Sequence, residues 1–526
     1  MSLSIESIFD TAYQAEHSLW QRSIKSIEIE QSSIIFQKEM SLFSKKFNDL
    51  KERFLVLTPH YLFLLKTEKN PLILSVMDIK WVRAEFTYPS NALKYKDHFK
   101  IRLIKNMIFT DLWTKDASVF REWEKHLSKI MVLANFHEKY NTIRLIGKGS
   151  FAKVYMIEDK ITKEKFALKA FNKERILSKK EGKPALMNEV SILRMLDHPN
   201  IMKLLEIHES KNSVYLVLEL LEGGTLRDVL TEKTKMDHGL VFEHMKSLLS
   251  VLSYLSNNRI IHRDLKLDNL IFTDKSRKTI KVIDFGFATK YNIDEYIYKK
   301  CGTPGFIAPE IINALNGIQT QFSPKCDIFS MGVIFYSLLT GNHVFEAESQ
   351  DELISKNKRC KIKLREKYFK KNKTLMDLLL GMLEIDPQKR ISADDALKHK
   401  FFNISPTELQ HISYGDGLDP RIWQLNKYRF VTNKNENQIG SLIIKQTAQR
   451  GNIRSIHGSF NSINSLGSFH HVRNNSHGNK KHSSRKQSLL KKTIMNKKKM
   501  LQNKIPKDPF KCEYFDSVES DKLHKK

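Results

Sequence analysis

Two short stretches constrain this chain more than any other feature: His262-Arg263-Asp264-Leu265-Lys266-Leu267-Asp268-Asn269 and, shortly after, Asp284-Phe285-Gly286. They supply a base, a cation and two oxygen ligands for a metal. Phosphoryl transfer from a nucleoside triphosphate requires that inventory. A chance loop holding Asp and Asn is common. What removes chance is the order of six polar residues, Lys169, Glu189, Asp264, Lys266, Asn269 and Asp284, which the fold has to bring into one cleft.

Upstream, Ile146-Gly147-Lys148-Gly149-Ser150-Phe151-Ala152-Lys153-Val154 reads as a hairpin whose glycines let backbone N–H groups approach phosphate oxygens. Alone it is weak, because any hairpin with two glycines looks similar. Phe166-Ala167-Leu168-Lys169 follows it, and Glu189 stands 20 residues beyond Lys169, ahead of His198-Pro199-Asn200-Ile201. Tyr215-Leu216-Val217-Leu218-Glu219-Leu220-Leu221 reads as a strand.

Taken together, residues 140–402 resemble the eukaryotic protein kinases. Lysine two positions after Asp264, together with Cys301-Gly302-Thr303-Pro304-Gly305-Phe306, resembles the serine/threonine branch. The resemblance implies an α+β, bilobal fold and a non-specific serine/threonine protein kinase using ATP and Mg2+. Asp264 would be the base that accepts the proton of the acceptor hydroxyl, and Lys266 would neutralise the γ-phosphate. Asn269 and Asp284 would hold magnesium, which favours oxygen ligands. Lys169, oriented by Glu189, would hold the α- and β-phosphates under the loop of Ile146, Gly147 and Gly149. Val154 and Ala167 would cover one face of adenine and Ile271 the other. Leu218 would be the gatekeeper, with backbone groups of Glu219 and Leu221 on the purine edge. Thr303 would bond both Asp264 and Lys266, Glu310 would pair with Arg390, and Asp327 would brace the catalytic loop. Leu193, Leu204, His262 and Phe285 would stack as a regulatory spine.

Four positions depart from the family pattern, the mildest being Phe329, where the family often has tryptophan. Ala152 replaces the third glycine of the loop, adding a methyl group at a cost on the order of 1 kcal/mol. Lys299 stands where relatives carry a phosphorylatable residue that pairs with the arginine equivalent to Arg263. Activity without phosphorylation at that position is therefore expected, with Asp294 and Glu295 as built-in counterions. Thr225 stands where relatives preferring basic substrates carry glutamate, leaving Glu222 or Asp228 to compensate.

Ahead of this region, residues 28–133 alternate short apolar runs with turns: Ser33–Met40, Glu52–Leu57, Tyr61–Lys66, Leu72–Val76, Trp81–Phe86, Phe99–Leu103 and Met107–Asp111. Their spacing predicts a small antiparallel barrel or sandwich. Ala117–Leu133 then changes to helical period, with Val119, Phe120, Trp123, Leu127 and Met131 on one stripe. Seven strands closed by a helix bearing a tryptophan resemble a pleckstrin-homology domain. In that family, cations near the first hairpin bind inositol phosphates. Here the candidates are Lys38, Lys45, Lys46, Lys51 and Arg53, with Lys51 and Arg53 on one strand face. The bland alternative is a solvated strand face. A pleckstrin-like domain before a kinase is similar to the protein kinase B arrangement, whereas Pro304-Gly305-Phe306 looks more like the calcium/calmodulin-dependent group.

The formal net charge is +29, and about half of that excess follows residue 402. Residues 403–526 are rich in Asn, Ser, Lys and His, lack apolar periodicity and read as a basic, largely disordered tail. Within it, residues 485–505 place Leu490, Ile494, Leu501 and Ile505 at helix-compatible intervals among lysines, a pattern that suits calmodulin or acidic lipid. No basic–aromatic readout pattern points to specific nucleic acid. The four cysteines are scattered, which fits a reducing compartment. No apolar run spans a bilayer and no secretory signal is evident, so a cytoplasmic location with reversible peripheral membrane association is expected. A scaffold that binds nucleotide without transfer, or a chiefly lipid- or nucleic-acid-binding module, are the competing readings.

Overall fold

The computed structural model describes residues 7–10, 18–21, 29–44, 48–149, 152–232, 238–293, 295–314, 322–362, 364, 373–403, 428–432 and 443–445. All of them belong to one compact unit, Met1–Arg450. Seven strands come first: β1 (Phe36–Ser44), β2 (Asp49–Leu57), β3 (Tyr61–Leu65), β4 (Ile73–Asp78), β5 (Arg83–Thr87), β6 (Phe99–Lys105) and β7 (Ile108–Thr114). They pair antiparallel in the order β4-β3-β2-β1-β7-β6-β5. The period of two places Leu55, Leu57, Leu62, Leu64 and Met77 in an inner core. The intervening Phe54, Val56, Phe63, Leu65 and Val76 form a second cluster, covered by Ile29, Ile34 and Tyr61.

Helix α1 (Ala117–Ile130) seals the inner core. Asp116 starts it: Oδ1 accepts from the backbone N of Ser118 at 2.7 Å and of Val119 at 3.2 Å, satisfying two otherwise orphaned donors. Phe120, Trp123 and Leu127 are fully buried, and Phe36 meets Trp123 edge-on at 4.8 Å. The helix is shorter than its periodicity predicts. Met131 is its C-cap, and Val132–Leu133 form a two-residue strand, β8. Val132 donates its N–H to Val82 at 3.0 Å, and β8 runs parallel to β5 with Arg83 opposite Val132 and Ala84 opposite Leu133. The backbone partners offered by that edge outweigh another half-turn of helix.

The chain continues through α2 (Phe136–Lys139), β9 (Tyr140–Lys148), β10 (Ala152–Asp159), β11 (Lys165–Asn172), α3 (Lys173–Leu177), α4 (Gly182–Met195), β12 (Leu204–Glu209) and β13 (Ser213–Glu219). The other edge of β8 pairs parallel with β12, Ile207 opposite Val132 and His208 opposite Leu133. One sheet of thirteen strands therefore runs from β4 through β8 to β9. The structure joins residues 28–133 and 140–402, read from the sequence as two domains, edge to edge through β8. It also buries Ile8 and Phe9, outside either range, in the same core as α4 and β12.

The second lobe is mostly helical: α5 (Leu226–Thr231), α6 (His238–Asn257), the short strands β14 (Ile260–Ile261), β15 (Leu270–Phe272), β16 (Ile280–Val282), β17 (Thr289–Lys290) and β18 (Lys300–Gly302), then α7 (Pro309–Ile312), α8 (Lys325–Thr340), α9 (Gln350–Arg359), α10 (Lys373–Met382) and α11 (Ala393–Leu397). Every residue of α8 from Cys326 to Thr340 is buried, as expected of a helix apolar on all sides. The expected α+β, two-lobed architecture with a large sheet is present. In the region read as a basic, largely disordered tail, β19 (Tyr428–Thr432) pairs antiparallel with β18, and β20 (Ile443–Lys445) pairs with β19. Among the described residues no helix is long and apolar enough to cross a membrane.

Candidate active site

The β9–β10 hairpin places Gly147 opposite Val154, and Gly149 N donates to the Ala152 carbonyl at 2.8 Å. Ser150 and Phe151, at its tip, lie outside the described residues. Ala152 begins β10, and its methyl is buried in the core, so this position does not require glycine. Lys169 on β11 reaches Glu189 on α4 at 2.6 Å and Asp284 at 3.1 Å. Burial opposes the Lys169 ammonium, but the carboxylates of Asp284 and Glu189 outweigh it and hold its pKa above the ordinary lysine value. Gly286 permits this crowding. A Cβ there would lie 3.3 Å from Asp284 Oδ1 and 3.5 Å from Glu189 Oε2.

In the second lobe, the β15–β16 hairpin pairs Leu270 with Val282, and Ile283 N donates to Asn269 O at 2.9 Å. Asn269 and Asp284 therefore emerge from the same end of one hairpin. Asn269 Nδ2 donates to the Asp264 carbonyl at 2.7 Å and to its Oδ2 at 3.2 Å, which turns the amide oxygen away from Asp264. Thr303 Oγ1 donates to Asp264 Oδ1 at 2.6 Å, while Lys266 Nζ donates to Thr303 Oγ1 at 3.1 Å and lies 3.4 Å from Asp264 Oδ2. Among the described residues no three His, Cys, Asp or Glu side chains cluster to cage a metal. The donors at hand, one carboxylate and one amide oxygen, suit a hard cation that completes its shell with water and phosphate.

The supporting network is equally local. Asp327 on α8 accepts from the backbone N of His262 at 2.7 Å and of Arg263 at 2.9 Å. Arg390 and Glu310 form a bidentate pair at 2.7 and 2.9 Å. The His262 ring packs on Phe285 with centroids 4.9 Å apart, and Leu193 and Leu204 lie in or against the same core. Leu218, Ala167 and Ile271 are buried, and Ile146 packs against that core. Glu219 points its carboxylate at Lys203 N (2.6 Å) and Lys281 (2.8 Å), leaving only its backbone for a purine edge. Leu221 is half-buried beside it.

Some expectations need correcting. Arg263 donates to the carbonyls of Phe287 at 2.7 Å and Tyr298 at 2.9 Å, and its guanidinium lies over the Phe322 ring. Carbonyls thus occupy the role assigned to acidic counterions: Glu295 is exposed, and Asp294 lies outside the described residues. Asp228 does not compensate for Thr225, because its carboxylate closes a capping box with the Thr225 backbone and hydroxyl. Lys38 pairs with Glu122 on α1 at 4.0 Å, while Lys51 and Arg53 lie opposite Leu42 and Met40. Lys45, Lys46 and residues 485–505 lie outside the described residues.

Sequence reasoning missed two residues that shape the site. Asn357, fully buried on α9, accepts from Gly305 N at 2.9 Å and donates to the Ile307 carbonyl at 2.8 Å, pinning the loop after Thr303. Arg227 forms a two-pronged pair with Asp268 at 2.8 and 2.6 Å. With Arg227 outweighing its burial, Asp268 has a pKa below the ordinary aspartate value. No local pattern marks Asn357. The acidic position of Asp268 inside the catalytic loop was a usable signal for the second.

Comparison with known proteins adds to this geometry. The family described as the protein kinase domain matches residues 140–402. Calcium-dependent protein kinase 4 of Plasmodium berghei is 35% identical over 272 residues, 51% of this chain and 50% of that protein. Calcium-dependent protein kinase 3 of the same organism is 37% identical over 272 residues, 51% of this chain and 47% of its own length. A probable myosin light chain kinase of Dictyostelium discoideum is 32% identical over 317 residues, 60% of this chain and 97% of that protein. The chain thus spans about half the length of the first two relatives and nearly all of the third.

Proposed function

The chain belongs to the protein kinase domain family, and on that premise we propose that it transfers the γ-phosphoryl group of ATP to serine and threonine hydroxyls of proteins. The observation that carries this reading is the closed set of contacts among Asp264, Lys266, Thr303 and Asn269, set beside the Lys169–Glu189–Asp284 cluster. Asp264 accepts the acceptor hydroxyl's hydrogen bond and aims its oxygen, with its own carboxylate fixed by Thr303. Positioning outweighs basicity in a loose transition state. Lys266, almost wholly buried, holds its ammonium where charge on the transferring group needs a partner. Asn269 and Asp284 would hold magnesium, which when bound neutralises phosphate charge. Thr303, on the segment that receives the acceptor, favours a short hydroxyl.

The test is a magnesium-dependent transfer assay on a degenerate peptide library. Wild type labels serine and threonine, whereas Asp264→Asn loses on the order of 100-fold or more in kcat, the usual worth of a positioned acid–base group. Equal labelling by both proteins sinks the reading.

Residues 28–133 are, within this reading, a pleckstrin-homology-like module that recruits the cytoplasmic enzyme to phosphoinositide-bearing membrane. Seven antiparallel strands, a capped helix and buried Trp123 support it, as does the register that sets Lys51 and Arg53 on one face. Lys45 and Lys46 would extend that cationic face, and residues 485–505 would add acidic-lipid or calmodulin binding. Co-sedimentation of the full chain with phosphoinositide vesicles, lost in Lys51→Glu/Arg53→Glu, tests the module. Undiminished binding by that variant refutes it, and a parallel arm with calcium–calmodulin tests the tail.

A further inference from the structure

Helix α4 carries Glu189 near its middle, and residues from the N-terminal part of the chain hold both of its ends. At its first turn, Lys183 Nζ donates to the Asp10 carbonyl at 2.8 Å, while Asp10 Oδ1 accepts from Asn106 N at 3.0 Å in the β6–β7 turn. Ser7 Oγ and Ile8 N donate to the two oxygens of Glu209 at 2.5 and 2.7 Å, and Glu209 also pairs with Lys173 at 2.7 Å. This seats Phe9, 1% exposed, flat against the Trp81 ring, with centroids 5.0 Å apart and planes 15° from parallel.

At the last turn of α4, the Arg194 guanidinium lies 5.3 Å from the centre of the same Trp81 ring. Its Nε and Nη2 are buried and donate to no group among the described residues. Burial alone pulls its pKa down to about 10. Among the described residues the indole face is thus the partner of this half-buried guanidinium, whose Nε and Nη2 have left water, and a desolvated cation gains most from a tryptophan face. Trp81 itself has φ 64, a left-handed backbone that a bulky aromatic adopts only when its surroundings impose it.

We propose that Trp81, seated by Phe9, is a positioning residue for phosphoryl transfer: it anchors the last turn of α4 and through that helix keeps Glu189 against Lys169. The inference rests on the kinase reading above. Arg194 and Glu189 are five residues apart, about 7.5 Å along one rigid helix, so a shift at the anchor reaches the ion pair undamped. Trp81 shares no hydrogen bond, ion pair or ring contact with Lys169 or Glu189. It acts through helix position, which separates it from the residues of the site.

The experiment compares full-length wild type with Trp81→Ala, Phe9→Ala and Trp81→Phe. Amide hydrogen exchange over residues 182–195 is followed beside kcat and KM for ATP and for a peptide. In Trp81→Ala and Phe9→Ala, α4 amides are expected to exchange about tenfold faster while those of β10, β11 and β13 keep their wild-type rates. The kcat is expected to fall on the order of 100-fold with the peptide KM unchanged, and Trp81→Phe to recover most of it. Exchange that quickens equally across the whole lobe overturns the inference, since Trp81 would then be core filler. So do α4 exchange and kcat within about twofold of wild type. If Trp81→Ala does not fold, Phe9→Ala decides by the same criteria. Exchange needs no turnover, so an inactive wild type would refute the kinase reading while the α4 rates still judge the anchor.

Discussion

Arg263 is partnered without a phosphate. Its guanidinium already donates to two carbonyls and lies over an aromatic ring, and its backbone N–H is bound by Asp327. Three of the nearby hydroxyls are poorly placed for modification: Thr289, Tyr296 and Tyr298 are buried, and burial pushes the Tyr298 phenol up to about 12. Phosphatase treatment of the purified chain is therefore expected to leave kcat within about twofold of its starting value. A large fall traced by mass spectrometry to residues 285–301 would contradict this.

Glu206 makes a pH prediction at the same scale. Burial would raise its pKa, but the hydrogen bond and charge of His208, with Lys139 beside them, hold it at about 2 against an ordinary 4.5. Because the folded value is the lower one, the unfolded chain takes up the proton first as pH falls. The stabilisation, about 3 kcal/mol, is complete above about pH 5 and drains away toward pH 2. In urea unfolding, the stability difference between wild type and Glu206→Gln should shrink by roughly half between pH 5 and pH 3. A constant gap would show that the carboxylate is not the source.

Among elements, α1 offers the cleanest contrast. Removing a fully buried indole in Trp123→Ala should cost about 3–5 kcal/mol, whereas Asp116→Ala should cost only about 1 kcal/mol, the worth of a cap. Chemical denaturation of the two variants checks the ratio. The same helix shows what the sequence displays and what it hides. Its apolar stripe and the seven alternating strands before it are local patterns, so they are legible. Its C-terminus is not, because Val132 and Leu133 also fit a helical stripe, and only two distant strand edges turn them into β8. The polar residues of the cleft are legible because chemistry demands rare residue types in a fixed order. Trp81, Phe9 and Asn357 are ordinary residues whose importance comes from neighbours far away in the chain. Nothing near Trp81 announces a left-handed backbone.

For the whole molecule, the connection between the N-terminal strands and the two-lobed body is sheet rather than linker. Val132, Leu133 and Phe136 are buried, and His208 Nδ1 meets the Ala134 carbonyl at 3.3 Å. Backbone protected in this way resists proteases that cut exposed linkers. Limited trypsinolysis of the full chain should not separate residues 28–133 from 140–402 among its first products. Early accumulation of two fragments divided near residue 134 would show the junction to be loose.

Hydrogen bonds on both edges of β8 leave no pivot between Arg83 and Ile207. Whatever surface captures the β1–β2 end would also dictate the bearing and standoff of the catalytic cleft. Acceptor hydroxyls would then be selected by their height above that surface as well as by the sequence around them.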